Sequence, residues 1–251
     1  MSLDWGVTRD DAAAPKVQAP DPFDRPEREE TRRRPSRLAG FLLVLIATPI
    51  FLSAVYSVVP PVSTLMLARW ATFRAVERDW VPLEEISPAL PRAVIASEDG
   101  AFCRHWGVDW GAIREVIEEA SEDWPERGAS TVSMQLVKNL YLWQGFGWIR
   151  KPVEIVLAHW IELTWSKRRI MEVYLNIAEW GPNGVFGAEA GARKAFGKSA
   201  KNLSAREAAI MVAALPNPII RNPAKPTAGQ MRRAGRIAAR GADASCISSQ
   251  N

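Results

Sequence analysis

The run LAGFLLVLIATPIFLSAVYSVV, residues 38–59, carries no charged side chain. About 20 consecutive apolar residues at helical rise cover the hydrocarbon thickness of a bilayer, so this run predicts a transmembrane helix. Pro49 lies within it, which would break a soluble helix but is tolerated in a membrane span. A signal peptide is the competing reading. The apolar run is long for one, however, and Pro60-Pro61 leads into further apolar sequence where a small-residue cleavage site would be needed. Arg25, Arg28, Arg32, Arg33, Arg34 and Arg37 precede the run, whereas the next stretch after it offers only Arg69 and Arg74. The excess of basic residues sets orientation, so the N-terminus is expected in the cytoplasm and the chain beyond residue 60 on the far side of the membrane.

With 251 residues, 47% of them hydrophobic, the chain has material for one substantial core with appendages. A net charge of +4 suits an anionic partner such as phospholipid headgroups or a phosphorylated substrate. It does not suggest nucleic acid, and no RNA-recognition, helix-turn-helix or zinc-finger spacing is present. Cys103 and Cys246 are far apart and belong to no metal-type cluster, which leads us to expect one buried thiol and one tail thiol in place of a disulfide.

Residues 1–37, rich in Pro, Asp, Glu and Arg, read as a disordered tail. Residues 62–80 have the apolar spacing of a helix leaving the membrane, or equally of an ordinary core helix. Helical signals then follow one another. A helix with Pro91 in its first turn ends near Asp99-Gly100. Asp109 can cap WGAIREVIEEA, and Ser130 or Thr131 can cap VSMQLVKNLYLW. Pro152 suits the first turn of VEIVLAHWIELTW, Ser166 opens KRRIMEVYLN, and Ser204 with Glu207 forms a capping box before AAIMVAAL. No segment alternates as a strand would, so the expected fold class is all-α, with a folded domain over 60–225 and a basic tail over 226–251, in which MRRAGRIAARGADASCISSQN reads as a short basic helix followed by disorder.

Three stretches could carry chemistry. In EDGAFCRHWGVD, residues 98–109, Glu98 falls at a helix C-terminus, against the partial negative charge of unpaired carbonyls and beside Asp99. That placement suits a group that takes up a proton; the alternative is a solvated corner. In RGASTVSMQLVKN, residues 127–139, a small-residue loop enters a helix N-terminus, which favours an anion, and Gln135 and Lys138 share a face. Ordinary capping with a solvated lysine would look the same. In WIRKPVEIV, residues 148–156, Pro152 biases Lys151 away from helix, so Arg150 and Lys151 approach a helix start while Glu154 sits in its first turn. Two carboxylates in contrasting settings match divided acid–base labour, but Arg150 and Glu154 could equally be a surface ion pair. His105 and His159 lack the spacing of metal ligands.

In this order behind one apolar span, these stretches resemble the motifs of peptidoglycan glycosyltransferases of glycosyltransferase family 51, specifically the monofunctional biosynthetic transglycosylases. EDGAFCRHWGVD resembles E-D-x-x-F-x-x-H-x-G, RGASTVSMQLVKN resembles G-G-S-T-x-x-Q-Q-x-x-K-N, IRKPVE resembles R-K-x-x-E, and SKRRIMEVYLN resembles K-x-x-I-L-E-x-Y-L-N. The likeness continues to LSAREAAIMVAALPNP.

The resemblance implies a lysozyme-like helical domain that polymerises lipid II into β-1,4-linked glycan with inversion and release of undecaprenyl pyrophosphate. Glu98 would be the general base and Glu154 the second catalytic carboxylate. Ser130, Thr131, Gln135, Lys138, Arg150 and Lys151 would hold substrate pyrophosphate, and Asp99, Phe102, His105, Asn139 and Asn176 would support the site. Expected partners are lipid II, the growing glycan chain and membrane lipids, with cell-wall synthesis proteins as further candidates. No cofactor is required by the reading, although a divalent cation, Mg or Mn, could sit at the pyrophosphate. The expected location is the cytoplasmic (inner) membrane, single-pass, with the catalytic domain periplasmic.

Three departures from the motifs stand out: Ala129 replaces a glycine, Met134 replaces a glutamine, and Pro152 falls inside R-K-x-x-E. The chain contains no S-x-x-K or K-T-G and is expected to lack a transpeptidase domain. A lytic glycan-cleaving enzyme or a non-catalytic lipid II-binding scaffold would share the helical domain, but cleavage needs neither a cationic phosphate site nor a membrane span.

Overall fold

The computed structural model describes residues 36–119 and 128–248. The chain divides into two compact units, residues 1–42 and 43–251. Of the first unit only residues 36–42 are described, so the expected N-terminal tail lies almost wholly outside the described residues. They open helix α1 (Arg37–Tyr56), where the Ser36 hydroxyl accepts the Ala39 N–H at 3.2 Å. At 20 residues α1 is long and apolar enough to cross a membrane, and it suggests a single-pass anchor. Leu43, Leu45, Ile46, Ile50 and Phe51 along it are exposed, as side chains meant for lipid would be.

In the second unit the end of α1 is fastened by indole and guanidinium donors. Trp160 Nε1 donates to Ser53 Oγ at 2.8 Å and Trp165 Nε1 to the Ser53 carbonyl at 2.9 Å. Arg169 Nη2 donates to the Tyr56 and Val59 carbonyls, each at 2.8 Å. The Tyr56 and Val59 carbonyls, at and beyond the helix end, find partners in this way.

The rest of this unit is mostly helical, as expected. Helix α2 (Thr64–Ala71) and strand β1 (Glu77–Arg78) lead to α3 (Ala89–Glu98), α4 (Trp110–Glu119), α5 (Val132–Tyr141), α6 (Gly147–Thr164) and α7 (Lys167–Ile177). Strands β2 (Glu179–Gly181) and β3 (Val185–Phe186), then α8 (Ala188–Phe196), α9 (Ala205–Ala214) and α10 (Ala228–Ala239) follow.

Helix α7 is buried almost all round from Ile170 to Ile177, which makes it the axis on which α5 and α6 pack. Helix α9 is the second axis. Its buried Ala208, Ala209, Ala213 and Ala214 let α3 approach on one side and α10 on another. The predicted caps are present: Asp109 Oδ1 accepts the Ala112 N–H at 3.0 Å, Thr131 caps α5, Ser166 caps α7, and Ser204 with Glu207 closes a capping box on α9.

The all-α expectation missed one small sheet, ordered β1-β3-β2, with β1 parallel and β2 antiparallel to β3. Strands of two or three residues are too short to show alternation. The visible signal was Asn183-Gly184, whose φ angles of 67° and 84° give the consecutive left-handed residues that a tight hairpin needs.

Two further expectations are corrected. The short basic helix expected near the C-terminus is present as α10, opened by a Thr227–Gln230 capping box, but it buries Gln230, Ala234 and Ile237 against the domain, so the folded part does not stop at 225. Nor are the cysteines free. Beyond α10 the chain folds back so that Cys103 and Cys246 form a disulfide, with Cα atoms 5.4 Å apart and 143 residues between them. Sequence distance hid this pairing because residue 246 returns to the turn after α3 only through the packing of α10.

A closed loop of this length constrains the unfolded chain strongly. Cys246→Ser is expected to lower unfolding free energy by roughly 2–4 kcal/mol, read as a lower denaturant midpoint. Digestion without reductant is expected to release a peptide pair joined through residues 103 and 246.

Candidate active site

The site is built on the turn between α3 and α4 and on the start of α5. Asp99, the C-cap residue of α3, is 6% exposed. Its Oδ2 accepts the Val132 N–H at 2.8 Å, taking up one of the free donors in the first turn of α5. Its Oδ1 lies 2.8 Å from His105 Nε2. Gly107 brings the turn against α6 with φ of +85°, and a Cβ there would fall 2.7 Å from the Ala158 carbonyl carbon. Only glycine fits both demands. The Thr131 hydroxyl donates to the Gly107 carbonyl at 2.5 Å and accepts the Met134 N–H at 3.2 Å. Phe102 is wholly buried, with the Lys167 ammonium 4.5 Å from its ring centre.

This frame places Glu98 in a cleft of about 930 Å³ whose walls include Ser130, Thr131, Gln135 and Arg233. The Glu98 carboxylate accepts from the Ser97 hydroxyl at 2.8 Å and from Gln135 Nε2 at 3.4 Å. The Tyr174 hydroxyl donates to Gln135 Oε1 at 3.0 Å, which turns the amide nitrogen toward Glu98. Burial, with the charges of Glu98 and Asp99 nearby, pushes the Tyr174 phenol well above its ordinary value, so it stays a donor.

The second carboxylate lies where α6 passes the α5 N-terminus. Glu154 is 1% exposed and sits between two cations, Arg150 Nη1 at 2.5 Å from Oε1 and Lys151 Nζ at 2.8 Å from Oε2. Lys151 Nζ also donates to Ser130 Oγ at 2.6 Å. Burial, then the neighbouring Arg150, pulls the Lys138 ammonium below the ordinary lysine value, while Glu154 opposes the shift. Glu98, Gln135, Ser130, Lys151, Glu154 and Arg150 thus form one connected series: Gln135 Nε2 lies 3.4 Å from Glu98 and 3.5 Å from the Ser130 carbonyl.

Some sequence expectations change at this point. Helix α6 begins at Gly147, more than a turn before Pro152, which lies inside the helix and withholds one hydrogen-bond donor. Lys151 is helical, and Glu154 is held by ion pairs in the helix body, not by a helix start. Phe146, with φ of 45°, provides the sharp entry that lets the helix start early. The other two departures do not alter the site. Among the described residues, positive φ outside glycine occurs at Phe73, Phe146 and Asn183, so Ala129 needs no glycine geometry. Met134 is 2% exposed and packs in the core, away from the cleft.

Of the proposed substrate binders, Thr131 is spent on capping and on Gly107. Of the residues expected to support the site, Asn139 is turned to Gln144, at 3.5 Å. Asn176 clamps Val81, accepting its N–H at 3.0 Å and donating to its carbonyl at 2.8 Å, so its support acts on the β1 side. Sequence reading missed Arg233, whose guanidinium lies 3.6 Å from Glu98 Oε1 and donates to Ser97 at 3.4 Å. Its hint was the short basic helix read in MRRAGRIAAR, which was placed outside the folded domain.

A divalent cation does not suit these donors. Both Glu154 oxygens face cations, and among the described residues there is no cluster of three His, Cys, Asp or Glu side chains that could hold a metal.

A buried carboxylate paired with two cations is thus joined through a helix N-terminus to a second carboxylate in an open cleft. Residues 66–241 match the family described as Transglycosylase, and the chain belongs to that family. It is 52% identical over 198 residues to the biosynthetic peptidoglycan transglycosylase of Rhodopseudomonas palustris strain TIE-1, covering 79% of this chain and 84% of that protein. It is 51% identical over 201 residues to the protein so named in Brucella suis, covering 79% and 89%. The corresponding Agrobacterium fabrum protein is 48% identical over 203 residues, covering 80% and 89%.

Two outcomes follow from the buried cluster. Glu154→Gln leaves Arg150 with no counter-charge in a buried position and is expected to destabilise the fold by roughly 3–5 kcal/mol, measured by urea unfolding. NMR of methylated lysines should find Lys138 titrating below the ordinary lysine value, so its charge is lost early as pH rises. Removing the Glu154 charge should lower that value further.

Proposed function

We propose that Glu98 is the general base of glycan polymerisation and that Lys138, Arg150 and Lys151 receive the pyrophosphate of the lipid-linked donor. The chain is a peptidoglycan glycosyltransferase, and lipid II is the substrate its family implies. In the proposed step Glu98 takes the proton from the 4-hydroxyl of the acceptor sugar, whose oxygen attacks the anomeric carbon of the donor. The bond from that carbon to the pyrophosphate oxygen breaks, giving a β-1,4 link with inversion. Fixed cations at the departing pyrophosphate meet charge where it accumulates, at no cost in reorganisation. Glu154 holds Arg150 and Lys151 in place and does not itself meet substrate.

One observation carries the reading: the short series from Glu98 through Gln135 and Ser130 to Lys151. It sets a proton acceptor and a cationic anion site on either side of one helix N-terminus, where donor and acceptor sugars would meet.

The proposed setting is the outer face of the cytoplasmic membrane, with the N-terminus inside. The arginines before α1 support this orientation, as does the Cys103–Cys246 disulfide, since such bonds persist in oxidising compartments. Phe146, Ile149, Val153 and Val156 form an exposed apolar stripe at the start of α6, whose other side carries the cations. A lipid chain lying along that stripe would present its phosphate to them.

The test is polymerisation of labelled lipid II by detergent-solubilised protein. Glu98→Gln is expected to reduce turnover by about 100-fold or more without lowering thermal stability, and undiminished polymer would remove Glu98 from the role.

A further inference from the structure

The cleft holding Glu98 has a wall that the proposed reaction does not use. Arg233, Arg236 and Arg240 of the α10 segment line it, together with Arg221 from the loop before α10. Residues 233, 236 and 240 are three and four apart and share one helix face. Arg233 is engaged with Glu98 and Ser97. Among the described residues, Arg221, Arg236 and Arg240 have no ion-pair or side-chain hydrogen-bond partner, and Arg236 and Arg240 are exposed. Asp109 and Glu115 of the α4 segment also line the same cleft. Its lining therefore carries both signs of charge, with Glu98 among them.

We propose that the α10 wall is a subsite for the carboxylates of the peptide carried by the lipid-linked sugar, with Arg236 and Arg240 as specificity-determining residues. The proposal rests on lipid II being the substrate. Two anionic parts of that molecule could in principle meet arginines, the pyrophosphate and the peptide. The pyrophosphate has its own cations around Ser130, and it is compact. From Arg233 to Arg240 the wall runs for about 10 Å along the helix, a length that matches several carboxylates spaced along a peptide better than one diphosphate. Guanidinium forks recognise carboxylates in a planar, two-point manner. Asp109 and Glu115 in the same lining would suit the free amine of a diamino acid in that peptide.

The experiment measures Kd, by tryptophan fluorescence, for lipid II bearing its full peptide and for lipid II trimmed to a single L-alanine. The protein is the full chain in detergent, as wild type, Arg236→Gln/Arg240→Gln, and Arg236→Lys/Arg240→Lys. Wild type is expected to bind the full-peptide substrate more tightly than the trimmed one by about tenfold. The glutamine variant should lose most of that ratio, and the lysine variant should keep part of it.

A wild-type ratio near one, or a glutamine variant that keeps the full ratio, overturns the subsite. Equal weakening of both substrates assigns the wall to the lipid phosphate and overturns the peptide assignment. Because the readout is binding, a wild type that shows the ratio but makes no polymer refutes the catalytic reading alone. Polymerisation with no peptide dependence refutes the subsite alone.

Discussion

The junction between α3 and α5 depends on the buried Asp99 carboxylate. By accepting the Val132 N–H and pairing with His105, it fixes the end of α3 to the beginning of α5. Everything placed in the cleft follows from that junction. Glu98 is its sequence neighbour, Gln135 lies one turn into the helix it caps, and Thr131 reaches from the same helix start to the Gly107 carbonyl. A charged hydrogen bond to backbone donors is among the stronger single contacts available to a fold, and here its loss would release two segments at once.

The second requirement is that cations be kept near one another without an anion always present. Glu154 meets it. With side-chain exposure of 2%, it neutralises Arg150 and Lys151 from below, leaving Lys151 able to reach Ser130 and Lys138 beside them. A buried pair of this kind contributes little to stability compared with an apolar substitute, but breaking it is costly. It makes sense where the charge is needed for chemistry, and α6 carries it on one side while its exposed apolar side faces outward.

Most of the helical frame was legible in the sequence because its signals are local. Capping residues at 109, 131, 166 and 204 act within a turn of themselves, and each cap forms. The candidate residues 98, 130, 135, 150, 151 and 154 could be picked out by their motifs, and the structure connects them, with Lys138 within electrostatic reach of Arg150, Lys151 and Glu154. Features that depended on distant partners were not legible. Pro152 pointed to a helix start, but Phe146 opened the helix earlier. The stretch from 226 showed a short basic helix, but not that it docks, because its few apolar side chains count only once α9 offers them a surface. The same distance concealed Arg233 beside Glu98 and the pairing of the two cysteines.

That disulfide joins the turn carrying Glu98 to the segment that follows the arginine-bearing helix. The cleft therefore has a seam. The bank that α10 provides is held by its own packing, with Ala234 and Ile237 buried against the domain, and the sulfur bridge adds a covalent stitch across a junction that apolar contact already closes.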